Sequence, residues 1–318
     1  MIALVTGGTG LIGRQVVEQL KASGLEVTTV SLDSLSVPGA DHHVEGDLTD
    51  FDFCMEITKN VDYVFHLAGI KGSLEVTLAR PASFLVPMLR FNTNVLEASR
   101  RNGVTKLVYT SSIGAYASAE VFVETDGHVG EPMDTYPGWA KRIAETQIQA
   151  YKKEYGLDWA VVRPCNVYGP GDNFDPNNAM VIPSLMMKIR RGDDPVEIWG
   201  DGSSIRDFAY SEDVADGIVK AAELGTRGSF VNLASGRGYS ISELVSTLQE
   251  FIPFEAEFDA TKPSGFPKRV MDISRAKEWL GYSPKTSLRE GLEKTWNWFI
   301  ENEHEYLLKK NYFLDKES

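Results

Sequence analysis

The opening thirteen residues, MIALVTGGTGLIG, constrain this chain more than any other stretch. Ile2, Ala3, Leu4 and Val5 form a short apolar run of the kind that fills a strand buried on both faces. Thr6 and Gly7 break the run. Gly7, Gly10 and Gly13 space the turn, and Leu11, Ile12, Val16, Val17 and Leu20 follow at helical intervals. The order predicted is strand, glycine turn, helix. Glycines let a backbone turn tightly and approach a pyrophosphate, which sits against the free N–H groups of a helix N-terminus. Both flanking elements that a dinucleotide site requires are present. Gly7, Gly10, Leu11, Ile12 and Gly13 are therefore the candidate cofactor cradle.

The rest of the first half repeats the alternation. Glu26–Val30, His42–Glu45, Val61–Leu67, Lys106–Thr110 and Asp158–Val162 read as strands, and 84–102 and 137–155 as long helices. This pattern predicts a doubly wound parallel sheet of Rossmann type, in which ligands bind beyond the carboxyl ends of the strands. Leu67, Ala68, Gly69, Thr110 and Ser112 fall at such ends. His66, inside its strand, reads as a packed core residue. From Asn166 the pattern changes to short elements and scattered aromatics, which predicts a smaller interleaved α/β substrate-binding region. The expected division is 1–165, completed by roughly 203–235, against 166–202 and 236–318. Residues 287–300 suggest a terminal amphipathic helix, with a charged tail after Glu301 expected to fray.

With 318 residues and 42% hydrophobic content, the chain can bury a substantial core. The net charge of −13 argues against nucleic acid or an anionic membrane as partner, since both need a basic field. A phosphate-bearing substrate then requires a local basic patch. The first strand begins at Ile2 and no apolar run has spanning length, so a cytoplasmic location is expected. Cys54 and Cys165 are expected as free thiols, and the five histidines are too scattered for a metal cluster.

TGGTGLIG at the N-terminus resembles the extended short-chain dehydrogenase/reductase family, the epimerase/dehydratase type, most of whose members act on nucleotide sugars. Gly46-Asp47-Leu48 matches the family's GDL turn, which implies that Asp47 binds the adenine amino group, with Leu48 also at the cofactor. An acidic residue after the second strand implies NAD; here the aligned position is Ser31, with Asp33 two residues later and Arg14 after the third glycine. Ser31 with Arg14 suits NADP and Asp33 suits NAD; the sequence leans to NADP. TSSIGAY resembles the family's serine segment and assigns Ser112 to the substrate oxygen, with Ser111 in support. The family's YxxxK supplies an acid/base tyrosine and a lysine on one helix face. This chain reads Tyr136-Pro137-Gly138-Trp139-Ala140-Lys141, one residue too long. With Pro137 read as an insertion that sets Tyr136 just before the helix, Tyr136 is the expected acid/base and Lys141 its partner. The alternative is a site with altered or lost chemistry.

The second half is similar to GDP-L-fucose synthases in NVYGPGDNFDPNNAMVIPSLMMK, WGDGSSIRDF and TKPSGFPKRVMD. That likeness implies substrate roles for Asn166, Val181, Lys188, Trp199 and Arg206, with Lys262, Lys268 and Arg269 extending a diphosphate clamp. It also implies a homodimer through the two long helices. Gly114 and Met180 stand where those synthases carry a cysteine and a histidine, so proton movement at C3 and C5 by that route is not expected. Hydride transfer at sugar C4 remains, either as an NADPH-dependent 4-ketoreductase or as a 4-epimerase holding NAD. A non-catalytic cofactor-sensing protein is the alternative of another class.

Overall fold

The computed structural model describes residues 1–72, 74–176 and 178–304; the end of the charged tail lies outside them. The first half gives β1 (Ile2–Thr6), α1 (Leu11–Ala22), β2 (Glu26–Ser31), β3 (His42–Glu45), α2 (Phe51–Ile57), β4 (Tyr63–His66), α3 (Leu74–Ala79), α4 (Pro81–Arg101), β5 (Lys106–Thr110), β6 (Val121–Phe122) and α5 (Thr135–Tyr155). The second half gives β7 (Ala160–Pro164), β8 (Asn166–Tyr168), α6 (Val181–Arg191), β9 (Val196–Trp199), β10 (Ile205–Tyr210), α7 (Ser211–Leu224) and β11 (Val231–Leu233). β12 (Gly238–Ser240), α8 (Ile241–Gln249), β13 (Ala256–Asp259), β14 (Lys268–Met271), α9 (Ser274–Leu280) and α10 (Leu288–Glu301) follow.

Seven strands form one sheet in the order β11-β7-β5-β4-β1-β2-β3, every pair parallel. The order reverses between β1 and β4, and a parallel sheet opens a crevice at that point. Ala3, Leu4 and Val5 are wholly buried, as their uninterrupted apolar run requires. Val95, Leu96 and Ala98 of α4 are buried against the same core. Residues 231–233 return to the main sheet beside β7, although most of the chain between belongs to other layers.

A second sheet runs β12-β10-β14-β6, with β8 also paired to β10. It borrows β6 from the first half of the chain, so the two halves are laced together. Asp207 on β10 is the knot. Its buried carboxylate accepts hydrogen bonds from Ser235 N (2.9 Å), Ser235 Oγ (2.6 Å), Gly236 N (3.1 Å) and Met271 N (3.3 Å). A smaller apolar cluster, including Phe174, Ile182, Met186, Leu244, Leu248 and Phe299, fills the space around this sheet.

The glycine turn is packed to contact. A Cβ on Gly13 would lie 2.3 Å from the Gly7 carbonyl oxygen, and one on Gly7, at φ +70°, would meet the Ala68 backbone at 3.0 Å. Neither neighbour is a flexible side chain. Gly13→Ala is expected to destabilise the fold by about 1–3 kcal/mol through overpacking, measured by denaturant unfolding.

Candidate active site

Three strand ends and one helix build the site. At the end of β1, the Thr6 hydroxyl accepts from the backbone N–H of Leu67 (3.2 Å) and Ala68 (3.3 Å), fixing the 67–69 segment against the glycine turn. His66 completes that link. Its Nε2 lies 2.9 Å from Asn92 Oδ1, an acceptor, so Nε2 carries the proton and Nδ1 accepts from Thr6 Oγ1 at 2.8 Å. Burial, then the nearby Lys141, holds the imidazole's pKa down to about 3, so it stays neutral. His66 is thus a core residue that orients the site.

α5 delivers Lys141 to the end of β5. The ammonium is 8% exposed and donates to the Thr110 carbonyl at 2.7 Å. It stands 5.1 Å from the Tyr109 ring centroid and beside Gly69. Burial pushes it from the ordinary 10.5 down to about 8. Thr110 Oγ1, at the same end, is buried without a hydrogen-bond partner. A buried ammonium next to an orphaned hydroxyl suits a ligand carrying hydroxyl groups. Ser112 Oγ accepts from Gly114 N at 3.1 Å, which leaves its O–H to donate outward. Ser111 turns the other way: its hydroxyl bonds to Glu145, which is buried with Arg163 and also bonds the exposed His128. Ser111 therefore braces β5 rather than facing the crevice.

The tyrosine expectation needs correction at its structural premise. Pro137 is no insertion ahead of the helix; α5 begins at Thr135 and runs through both Tyr136 and Pro137. A proline fits there because first-turn N–H groups have no partner within the helix. Tyr136 stands five residues before Lys141, about 140° round the helix. Its side chain is 38% exposed and belongs to a different face. The residue one turn before Lys141 on its own face is Pro137, which has no hydroxyl. The structure brings Ser112 and Lys141 to one sheet edge, with Tyr136 as the second residue of the helix that carries Lys141.

The cradle fits a dinucleotide. α1 starts at Leu11 behind Gly10, whose φ and ψ are extended and which offers no side chain to cap the first N–H groups. A Cβ on Gly10 would come to 3.2 Å of the Gly7 carbonyl oxygen. Leu11 and Ile12 thus present backbone donors, and Gly13 allows the close packing behind them. At the end of β2, Ser31 is buried. Its Oγ lies 3.0 Å from the Thr9 hydroxyl, which also lies 3.1 Å from Asp33 Oδ2. The Asp33 carboxylate is folded back onto the glycine turn. Arg14 instead donates to the Thr9 carbonyl (3.0 Å), packs on Gly171 and lies 5.9 Å from the Trp298 ring centroid. Asp47 and Leu48 form the turn after β3; Asp47 Oδ1 accepts from Thr49 N at 2.9 Å.

The substrate candidates fall into two groups. Asn166 binds the Asp207 carbonyl through its amide at 3.0 Å, and Arg206, the register neighbour of Arg269, is held to the Phe266 carbonyl at 2.6 Å. Burial, then the like charge of Arg269, pushes Arg206 down to about 10. Further out, Lys188 reaches the Glu197 carbonyl (2.6 Å), and Lys262 lies 5.9 Å from the ring of Trp199, which is 54% exposed. Val181 opens α6 with Met180 as its N-cap. Sequence reasoning missed Asp134, the N-cap of α5, whose carboxylate lies over Gly114. A carboxylate three residues before a proline was the available signal.

The sequence model of the NAD dependent epimerase/dehydratase family matches residues 3–234. The chain belongs to this family. It is 33% identical over 311 residues to GDP-L-fucose synthase 1 of Arabidopsis thaliana, covering 94% of this chain and 93% of that protein. Among solved structures, UDP-glucose 4-epimerase of Thermotoga maritima, determined with UDP-glucose, superposes with TM-score 0.84 at 32% identity, covering 95% and 99% of the two chains. The UDP-glucose 4-epimerase of Thermus thermophilus, in complex with NAD, gives TM-score 0.80 at 27% identity, covering 94% and 99%. The protein is accordingly an NAD(P)-dependent enzyme of the nucleotide-sugar epimerase and reductase class.

Because the native Lys141 releases its proton near pH 8 and an unfolded lysine near 10.5, stability rises with pH across that window. The buried charge is destabilising below it. In the dinucleotide-free protein, Lys141→Met is expected to raise stability at pH 7 by ~2 kcal/mol, shrinking toward pH 10.5. Denaturant unfolding against pH checks this, and the variant should lose turnover.

Proposed function

We propose that this enzyme is a 4-epimerase of a nucleoside-diphosphate hexose that holds NAD through its catalytic cycle. The observation that carries the cofactor assignment is the Asp33 carboxylate beside Thr9 and Ser31. A carboxylate there accepts hydrogen bonds from ribose hydroxyls and repels a 2′-phosphate. The placement of Arg14 against Thr9, Gly171 and Trp298 supports this over the Ser31 and Arg14 reading. NAD, when bound, supplies hydride exchange at the sugar carbon. Lys141 would bind the nicotinamide ribose with the protons not given to Thr110, and Ser112 would donate to the oxygen on C4. The substrate's diphosphate would lie near Arg206 and the Asn166 strand, with Val181, Lys188, Trp199 and Lys262 toward the nucleotide; half-buried guanidinium groups suit diphosphate oxygens.

Residues 166–202 and 236–318 are assigned to the sugar nucleotide in this reading. A 4-epimerase returns the hydride it removes, so it needs no dissociating cofactor; a 4-ketoreductase does. Dimerisation through α4 and α5 is supported by Val86, Trp139 and Ile143, which stand exposed on those helices.

Two measurements test the proposal. Wild-type protein is expected to bind NADH at least tenfold tighter than NADPH, and Asp33→Ser to narrow that ratio, by fluorescence titration. With hexose deuterated at C4, NMR should show inversion at C4 with the label retained. Net release of oxidised cofactor, or deuterium taken up at C3 or C5 from deuterium oxide, overturns the assignment.

A further inference from the structure

The first turn of α5 holds a carboxylate that its own helix does not use. Asp134 is the N-cap, a position where an aspartate normally accepts from the N–H of the second or third helical residue. It makes no such bond. The third residue is Pro137, which has no N–H to give. Released from capping, the carboxylate extends over Gly114. A Cβ on Gly114 would lie 2.1 Å from Asp134 Oδ2 and 2.7 Å from its carboxyl carbon, so only glycine leaves this space free. The two segments are stitched together, with Asp134 N donating to the Gly114 carbonyl at 3.2 Å and Gly114 N donating to Ser112 Oγ at 3.1 Å.

The surroundings suit a group that exchanges a proton. Desolvation raises the Asp134 pKa, opposed by Arg269. That guanidinium lies on β14 beside Arg206 of β10, and its Nε is buried without a hydrogen-bond partner. Arg269 is thus near enough to be felt by Asp134 yet makes no ion pair with it. Among the described residues nothing hydrogen-bonds the carboxylate, and Pro137, which has no hydroxyl, occupies the position one turn before Lys141 on its face.

Resting on the C4 reading above, we propose that Asp134 is the catalytic acid/base of this site, taking and returning the proton of the substrate hydroxyl that Ser112 holds. The O–H bond breaks, its proton forms a new O–H bond on Asp134 Oδ2, and the electron pair stays on the sugar oxygen to become the C=O bond. The two electrons of the C–H bond leave with the hydride to the oxidised nicotinamide dinucleotide named above. Return of hydride and proton reverses both changes. The room over Gly114 and the proline at position 137 then form one arrangement: the proline frees the carboxylate, and the glycine admits it.

The experiment uses full-length protein with bound NAD and a C4-deuterated nucleoside-diphosphate hexose. Asp134→Asn is expected to lower kcat for C4 inversion at least 100-fold, with NADH affinity and unfolding midpoint unchanged. Gly114→Ala, which keeps the carboxylate but takes its space, should share the loss. As a readout independent of turnover, carbon-13 NMR of aspartate carboxyls should show a resonance absent from Asp134→Asn that titrates above 3.8, the ordinary value for aspartate, and shifts when the sugar nucleotide is added. Inversion that survives in Asp134→Asn, or a carboxyl that ignores the sugar, overturns the proposal. A 100-fold loss in Tyr136→Phe with Asp134→Asn spared does so too. A wild-type chain that inverts no hexose at C4 overturns the underlying reading and this proposal with it.

Discussion

The close approach of α1 to the Gly7 carbonyl is the constraint on which the remaining architecture rests. Because Gly13 has no Cβ, the helix starts directly against the turn, and its first N–H groups open into the crevice beside β1 and β4. Ala68 is brought to the same place, since Gly7 meets its backbone and Thr6 bonds its N–H. One set of contacts thus defines both the cradle and its wall. A side chain at Gly13 would force helix and turn apart.

α5 brings Lys141 to the end of β5. Its interior is fixed by ordinary packing, with Ala140, Ala144 and Ile148 in the core, and this seats Lys141 under the end of β5. Burying an ammonium costs stability, and the Thr110 carbonyl offsets only part of that cost. The first turn is where the chain departs from a plain helix start. Pro137 has no N–H at the third helical position, Asp134 makes no capping bond, and its carboxylate lies over Gly114.

Asp207 explains why the second region cannot be cut cleanly from the first. A buried carboxylate needs several donors, and this one draws them from the segment after β11 and from β14. Arg206, the residue before it on β10, is thereby set beside Arg269 in a net acidic protein. The basic patch that a diphosphate requires is local, created by strand register rather than by overall charge.

Much of this was legible in the sequence. Short apolar runs identified strands of the parallel sheet, and 3.6-residue periodicity identified helices α1, α4, α5 and α10, because each buries a continuous apolar surface in one of the two cores. The glycine spacing located the cradle for the same local reason. Short elements such as β6, α2 and α3 were not legible, since their stability comes from neighbours distant in the chain. Nor was the direction of a side chain at a helix start. Spacing alone allowed Tyr136 before the helix, but the helix begins at Thr135 and takes Tyr136 in as its second residue. The sequence by itself determined the sheet, the cradle and Lys141, all set by local periodicity. Tertiary structure alone decided that Asp33 folds onto Thr9, that Arg14 packs toward Trp298, and that Asp134 fills the space over Gly114. Those choices depend on contacts between residues that are far apart in the chain or held by different elements.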